Sequence, residues 1–225
     1  GDTLIGDGQN NVLNGGANIA DDTLIGGLGA DTLIGNDGTD TASYAFATTA
    51  VKVDVGNAAN STGEAAGDTF NTIEIWQGSA YNDTMISVVG AGTTFRGGLG
   101  DDVYYTDASS DLVIEGAGEG TEIIYTTSLT YTLAVNVENL TYTGNGAFVG
   151  TANNIANVIT GGSGTNNTVS YSTAGALTVN LANPSANTGW AAGDSYVNIQ
   201  SVYGTIYGDT LIGDGQNNVL NGGAN

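Results

Sequence analysis

GGLGADTLI, residues 26–34, is the clearest copy of a nine-residue pattern that recurs along the chain, and residues 97–105 repeat it as GGLGDDVYY. Both stretches fit Gly-Gly-x-Gly-x-Asp-x-U-x, in which U is a large apolar residue. Looser copies keep the acidic and the apolar positions, at 35–43, 78–86, 106–114 and 204–212. Recurrence at a fixed spacing predicts a solenoid, because each copy is one structural unit that packs only against its neighbours.

Other copies keep the spacing but carry an amide at the acidic position. The sequence GDGQNNVLN occurs twice and places Asn11 and Asn218 where the aspartate is expected. The amide-rich segment 150–170 carries Asn157 and Asn166 at that position. These copies predict turns of the same shape with weaker affinity for cations.

The residue types in the pattern predict both the local structure and its stacking. The first six residues form a turn whose carbonyl groups point inward, and the last three form a short strand whose U residue enters a narrow core. Two copies make an 18-residue coil, so that like turns stack about 4.8 Å apart. Asp22 and Asp40, 18 residues apart, then share one stack, and Asp31 lies on the opposite stack above Asn11.

Stacked carboxylates at this spacing require a cation, because like charges so close together otherwise repel each other strongly. Calcium takes six to eight oxygen ligands, including carboxylates and backbone carbonyls, in flexible geometry. Magnesium retains its water and demands a strict octahedron, so it suits the site less well. We therefore expect several bound Ca²⁺ ions.

The charge balance excludes several classes of function. Twenty-three acids and two bases give a formal net charge of −21, and the chain contains neither His nor Cys. Nucleic acids and anionic membranes would be repelled, since Lys52 and Arg96 are the only cationic side chains. Catalytic triads, imidazole ligands and disulfides are absent with those residue types. No apolar run approaches the roughly 18 residues of a membrane span, so we expect no membrane insertion.

These repeats resemble the RTX family of secreted bacterial proteins. The resemblance implies an all-β fold, a parallel β-roll or β-solenoid with essentially no helix, in which Gly- and Asp-rich turns bind calcium. It also implies type I secretion and folding when extracellular calcium is met, hence an extracellular or bacterial cell-surface location. No residue is expected to be catalytic.

The resemblance also implies a set of metal ligands. The repeat acids carried over by position are Asp2, Asp22, Asp31, Asp40, Asp83, Asp102, Asp111 and Asp209, with Asn11 and Asn218 as amide variants. The glycines expected to contribute carbonyl groups are Gly26, Gly27, Gly29, Gly35, Gly97, Gly98 and Gly100.

The chain is expected to alternate between RTX blocks and wider β coils. We expect RTX blocks at 1–43, 78–124 and 204–225, a degenerate amide-rich block at 150–170, wider coils at 44–77 and 171–203, and connecting β coils at 125–149. Alternating apolar and polar residues in VKVDV (51–55) and LTVNL (177–181) indicate strands in the wider coils. A small sandwich inserted between the rolls is the alternative.

Two longer repeats contain the short one. Residues 1–18 and 208–225 are identical, with an offset of 207 residues, and residues 51–86 align with 177–212 at an offset of 126. We expect the chain to be one period of a tandem array with overlapping ends. Short duplicated repeats that happen to flank the segment are the alternative.

Three functions remain open at this point. The chain is expected to be a non-enzymatic structural repeat of a large extracellular fibre, surface layer or adhesin stalk that calcium folds and stiffens. It would bind other copies of itself, in tandem or end to end. The alternatives are the calcium-binding export module of a type I-secreted enzyme and a solenoid that binds ice or polysaccharide.

Overall fold

A computed structural model describes residues 1–90 and 92–224, and short parallel strands make up most of the regular structure. The chain divides into two compact units, Gly1–Thr121 and Glu122–Asn225. The helical segments among the described residues are 3₁₀ turns of three residues, at Ala58–Asn60, Gly63–Ala65, Pro184–Ala186 and Gly189–Ala191. In the described residues, no helix is long and apolar enough to span a membrane.

The first unit contains twelve described strands. They are β1 (Thr3–Ile5), β2 (Val12–Asn14), β3 (Thr23–Ile25), β4 (Thr32–Ile34), β5 (Thr41–Ser43), β6 (Lys52–Asp54), β7 (Thr69–Asn71), β8 (Ile75–Gln77), β9 (Thr84–Ile86), β10 (Thr94–Arg96), β11 (Val103–Thr106) and β12 (Leu112–Ile114). One continuous ladder pairs β1, β3, β5, β8, β10 and β12 in that order. Two shorter ladders join β2, β4 and β7, and β6, β9 and β11.

The second unit contains eleven described strands in a similar arrangement. They are β13 (Ile123–Thr126), β14 (Thr130–Thr132), β15 (Asn139–Tyr142), β16 (Val149–Thr151), β17 (Val158–Thr160), β18 (Thr168–Ser170), β19 (Thr178–Asn180), β20 (Ser195–Val197), β21 (Ser201–Tyr203), β22 (Thr210–Ile212) and β23 (Val219–Asn221). The continuous ladder pairs β14, β16, β18, β21 and β23. The shorter ladders join β13, β15, β17 and β20, and β19 with β22.

Most of the described strands bury their central residue, as the pattern predicts for the U position. Leu24 and Leu33 are fully buried at the centres of β3 and β4, and Met85 and Phe95 occupy the same position in β9 and β10. Because each strand is only three or four residues long, burial depends on the coils above and below it rather than on the strand itself. Stacking is therefore what builds the core of each unit.

Each unit contains one wide coil that ends one ladder and begins another. In the first unit, β7 completes the ladder on β4, whereas β6, from the same coil, starts the ladder to β9. In the second unit, β20 completes the ladder on β17 and β19 starts the pairing with β22. These segments pair in parallel with strands of neighbouring coils, as strands elsewhere in the roll do, and their division into wider coils stays a prediction.

The parallel β-roll predicted from the repeats is confirmed. The finer division into RTX blocks and wide coils remains a prediction, since the structure separates only the two units described above.

Candidate calcium sites

Two stacks of acidic residues run along the turns of the first unit. In one, the N–H of Asp2 donates to Oδ1 of Asp22 (2.6 Å) and the N–H of Asp22 donates to Oδ1 of Asp40 (2.7 Å). In the other, the N–H of Asn11 donates to Oδ1 of Asp31 (2.8 Å). The 18-residue spacing predicts the link between Asp22 and Asp40, whereas the other two links span 20 residues. Each carboxylate thereby links its coil to the preceding one.

The second carboxylate oxygen has no partner in four of the aspartates predicted as ligands. Oδ2 of Asp22, Asp31, Asp40 and Asp102 is buried and accepts no hydrogen bond. A buried anionic oxygen without a donor is costly, because the protein interior solvates charge poorly. These four atoms therefore require a cation or a proton.

Glycines leave the space that such a cation would need. A Cβ atom built on Gly35 would overlap both Oδ2 of Asp40 and the carbonyl oxygen of Thr72 in the next coil. A Cβ atom on Gly15 would similarly overlap Oδ2 of Asp22 and approach the carbonyl oxygen of Gly35 to 2.9 Å. Carboxylate and carbonyl oxygens thus converge beside a glycine that has no side chain, an arrangement we call a cradle.

The other predicted glycines fit the same arrangement. A Cβ atom would overlap Oδ2 of Asp31 at Gly26 and Oδ2 of Asp102 at Gly97, so these first-position glycines also face a carboxylate. The remaining predicted glycines, at the second and fourth positions of the repeat, have positive φ angles: Gly27 (+86°), Gly29 (+134°), Gly98 (+96°) and Gly100 (+119°). This backbone conformation favours glycine and shapes the turn.

Oxygen-rich cradles suit calcium in their chemistry. Within residues 1–90 and 92–224, no three acidic side chains lie close enough together to hold a metal. Carbonyl groups must therefore supply many of the ligands, and calcium accepts such mixed oxygen sets. The donor set fits a hard cation bound between adjacent coils.

Burial changes the acidity of the carboxyl groups that face the cradles. It raises the pKa of Asp31 above its ordinary value, although the hydrogen bond from the N–H of Asn11 opposes this effect. Burial also raises the pKa of Asp102 to about 8, and the nearby charges of Asp83 and Glu115 act in the same direction. A bound cation would reverse these shifts, because it favours the charged carboxylate.

Not every predicted ligand faces an open cradle. Asp83 accepts hydrogen bonds from the N–H of Val51 (2.7 Å) and from the N–H (2.5 Å) and hydroxyl (2.9 Å) of Ser79. Asp209 accepts the corresponding bonds from Leu177 and Thr205. Both turns have a hydroxyl residue, Ser79 or Thr205, at the second position of the repeat, where the best copies have Gly. This residue type therefore indicates in the sequence that the carboxylate receives a donor from the protein.

Asp111 is also satisfied by protein donors, since the N–H groups of Thr93, Asp107 and Ala108 bond to its two carboxylate oxygens. The two amide variants turn Oδ1 inward: Asn11 accepts the N–H of Asp7 (2.8 Å), and Asn218 accepts the N–H of Asp214 in the same way (2.9 Å). Their role as metal ligands, like that of every predicted residue, remains a prediction.

Sequence reasoning missed two acids in the stacks. Oδ1 of Asp68 accepts the N–H of Asp31 (2.8 Å), and the hydroxyl of Tyr44 donates to its Oδ2 (2.8 Å). Burial raises the pKa of Asp68 to about 6. Glu74 extends the other stack, with Oε2 accepting the N–H of Asp40 (2.8 Å). The signal for Asp68 was present, because Asp-Thr-Phe at 68–70 matches the Asp-x-U ending of the repeat.

The register predicted for the amide-rich segment was wrong by one residue at its end. Asn166 is exposed, whereas Asn167 is fully buried and stands in the stack. The cause is one extra residue in GGSGTNNTVS, after which Asn167-Thr168-Val169 forms the end of the repeat.

Comparison with known proteins supports the interpretation of the turns. The family model described as "RTX calcium-binding nonapeptide repeat" matches the chain in four copies, at residues 1–18, 17–43, 94–113 and 203–225. The matched segments include the acids with open cradles, Asp22, Asp31, Asp40 and Asp102.

Two curated relatives share part of the chain. The endo-1,3-1,4-beta-glycanase ExsH of Rhizobium meliloti (strain 1021) is 47% identical over 88 residues, which are 39% of this chain and 18% of ExsH. The endo-1,3-1,4-beta-glycanase EglC of the same strain is 39% identical over 85 residues, which are 38% of this chain and 18% of EglC. The similarity thus spans less than a fifth of either relative.

The parallel strands, the cradles and the matched segments together place the chain among the parallel β-roll proteins that bind calcium in their turns. The chain carries the repeats of the RTX calcium-binding family and binds calcium ions in several turns.

Proposed function

We propose that the chain is a non-enzymatic structural repeat of a large extracellular bacterial fibre, surface layer or adhesin stalk, ordered by Ca²⁺. The observation that carries the proposal is the return of an identical 18-residue sequence after 207 residues. Both copies lie in coils of the roll: β1 pairs with β3 in the first copy, and β22 pairs with β19 in the second. A coil that can be paired on either side suits a tandem solenoid.

Calcium would couple folding to location. Without the ion, the carboxylates of Asp22 and Asp40 lie in one stack and repel each other, which favours an unfolded chain suitable for type I secretion. Outside the cell, each ion would join a carboxylate to carbonyl oxygens of the next coil and so order two turns together. The predicted ligands with open cradles, Asp22, Asp31, Asp40 and Asp102, are the sites we expect to fill first.

The array is tested with proteins that contain one, two and three 207-residue periods. Electron microscopy in calcium is expected to show particles whose length grows by an equal increment per period, and chelation with EGTA should collapse them. Particles that remain separate beads of unchanged size, or that keep their length in EGTA, would contradict the proposal.

The relatives favour a second candidate, a calcium-binding module that accompanies a secreted enzyme. Both carry the name endo-1,3-1,4-beta-glycanase, and the chain matches only a small part of each. The test is incubation of the chain with a mixed-linkage 1,3-1,4-β-glucan, followed by reducing-sugar and affinity-electrophoresis assays. We expect neither hydrolysis nor retardation; retardation would favour a module that holds an enzyme on this glucan, and hydrolysis would contradict a non-enzymatic role altogether.

An ice- or polysaccharide-binding face has less support in the structure. A row of threonines, Thr3, Thr23 and Thr41, follows the continuous ladder of the first unit but is succeeded by Ile75. Thr41 is also buried. A flat, exposed threonine array is therefore not formed along this ladder.

A further inference from the structure

The wide coil of each unit, together with the narrow coil it packs on, forms two internal copies of one arrangement that differ in their charge. The first copy, residues 31–86, contains eight acidic residues, and the second, residues 157–212, contains two. The lost acids include those of the stacks. Asp31 corresponds to Asn157 at an offset of 126 residues, and Glu74 corresponds to Gln200 at the same offset.

The cradle beside Asp40 in the first copy and the corresponding cradle beside Asn167 in the second copy have nearly the same backbone. The N–H of Asp40 donates to the Glu74 carboxylate (2.8 Å), and the N–H of Asn167 donates to the Gln200 amide oxygen (3.0 Å). Thr72, whose carbonyl faces the first cradle, has a φ angle of +50°, and Asn198, its counterpart, has a φ angle of +52°. The two cradles can therefore be compared atom by atom.

The occupant of the cradle differs between the copies. In the first copy, Oδ2 of Asp40 is buried without a partner. In the second, Nδ2 of Asn167 donates to the carbonyl oxygens of Gly162 (3.1 Å), Gly164 (3.1 Å) and Asn198 (3.0 Å). An amide NH₂ group thus lies against the carbonyl oxygens that a cation would otherwise bind.

The opposite stack shows the same substitution. Oδ2 of Asp31 has no partner in the first copy. Its counterpart Asn157 donates through Nδ2 to the carbonyl oxygens of Val137 (3.0 Å) and Glu138 (3.2 Å), and accepts the N–H of Asn153 (3.2 Å) at Oδ1. Asn153 adds a second NH₂ donor to the same carbonyl of Val137 (2.8 Å).

A tyrosine–aspartate pair is retained in both copies. The hydroxyl of Tyr44 donates to Asp68 in the first copy, and the hydroxyl of Tyr171 donates to Asp194 in the second. Each of these aspartates obtains a hydroxyl donor from the protein, so Asp194, one of the two acids of the second copy, needs no ion. Asp209, the other acid of the second copy, is held by the protein donors described above.

We propose that the second copy, residues 157–212, folds without calcium, with the side-chain NH₂ groups of Asn157 and Asn167 in the place of the ions that the first copy requires. The residues of these turns do not fit calcium, although they belong to the same solenoid, because an NH₂ donor already lies against the carbonyl oxygens of each cradle. Oδ1 of Asn167 is buried without a partner, but it belongs to a neutral amide and carries no charge that a cation must balance. The opposite orientation of the Asn167 amide would place Oδ1 against three carbonyl oxygens. Four acceptors would then face one another with no donor between them, so the orientation with Nδ2 in the cradle is the one that needs no cation.

Hydrogen–deuterium exchange of the full chain, read by mass spectrometry, tests the proposal. On going from a calcium concentration about 100 times the Kd to excess EGTA, peptides within 31–77 are expected to lose about 100-fold in protection. Peptides within 157–203 should change less than about threefold, since no ion is released there. The proposal that calcium fills the cradles of the first copy and amide NH₂ groups fill those of the second would be overturned if both copies lost protection equally in EGTA, or if both retained it fully.

A charge-matched pair of variants supplies the control. Asn167→Asp removes the NH₂ donor from the cradle, and should make the protection of 157–203 depend on calcium and add one ion to the stoichiometry measured by calorimetry. Asn166→Asp adds the same charge at the exposed neighbour and should change neither. Equal behaviour of the two variants would count against the proposal, and if Asn167→Asp does not fold, the exchange experiment on the unmodified chain decides alone.

Discussion

Filling one cradle with a methyl group is the most direct test of where calcium binds. Gly26 has no positive φ angle, so alanine fits its backbone, but the added Cβ would overlap Oδ2 of Asp31. Gly8 is the matched control, because a Cβ there meets nothing within 4 Å. Gly26→Ala therefore changes the space beside the carboxylate, whereas Gly8→Ala changes only the composition.

The expected loss has two parts. Overpacking of a tight site costs about 1–3 kcal/mol, and loss of one ion costs about 2.7 kcal/mol at a calcium concentration 100 times its Kd. Gly26→Ala should therefore destabilise the calcium-bound fold by about 4–6 kcal/mol, or about three to four orders of magnitude in the folding equilibrium.

Two measurements separate these parts. Isothermal titration calorimetry should show one ion fewer for Gly26→Ala, and circular dichroism should show calcium-induced folding at a higher calcium concentration. Gly8→Ala should match the unmodified chain in both. If Gly26→Ala binds the same number of ions with the same midpoint, the cradle beside Asp31 is not a calcium site and the reasoning fails.

Three further variants or conditions probe the stacks. Asn11→Asp should add a carboxylate below Asp31 and raise calcium affinity about tenfold in calorimetry; an unchanged affinity would contradict the register. Burial raises the pKa of Asp102 to about 8 and that of Asp68 to about 6. Their contribution to stability is full below the unfolded value near 3.8 and is lost as the pH rises through 6 to 8. In EGTA, circular dichroism should therefore show more β structure at pH 5 than at pH 8, and the reverse order would refute the assignment. Tyr44→Phe should lower stability by about 1–3 kcal/mol in urea titrations, because Asp68 loses a buried donor, whereas loss of an exposed tyrosine hydroxyl should cost little.

The fold could be predicted from the sequence because a single local rule repeats. In each copy the U residue must be buried and the glycines must form the turn, so the spacing between copies alone sets the register of strands such as β3 and β4. The stack of Asp22 and Asp40 follows from the same spacing. Only the insertion before Asn167 moved a residue out of its predicted place.

The state of each cradle could not be predicted from the repeat alone. Asp83 and Asp40 occupy the same position in the pattern, but Ser79 donates to Asp83 while Oδ2 of Asp40 has no donor. The difference depends on one side chain at the second position and on donors from other coils. Asp68 was missed because its turn is built from a 3₁₀ segment instead of the glycine-rich stretch.

The break between two strand ladders in the wide coil of the first unit affects how local unfolding spreads along the solenoid. On one side of the first unit, the ladder from β1 to β12 is unbroken, so a strand lost at one end exposes its neighbour directly. On the other side, the ladder that ends at β7 and the ladder that begins at β6 share no strand pair. Loss of pairing that starts at β2 therefore cannot pass from β7 to β6 through strand hydrogen bonds, and it continues along the chain only through the ladder from β1 to β12.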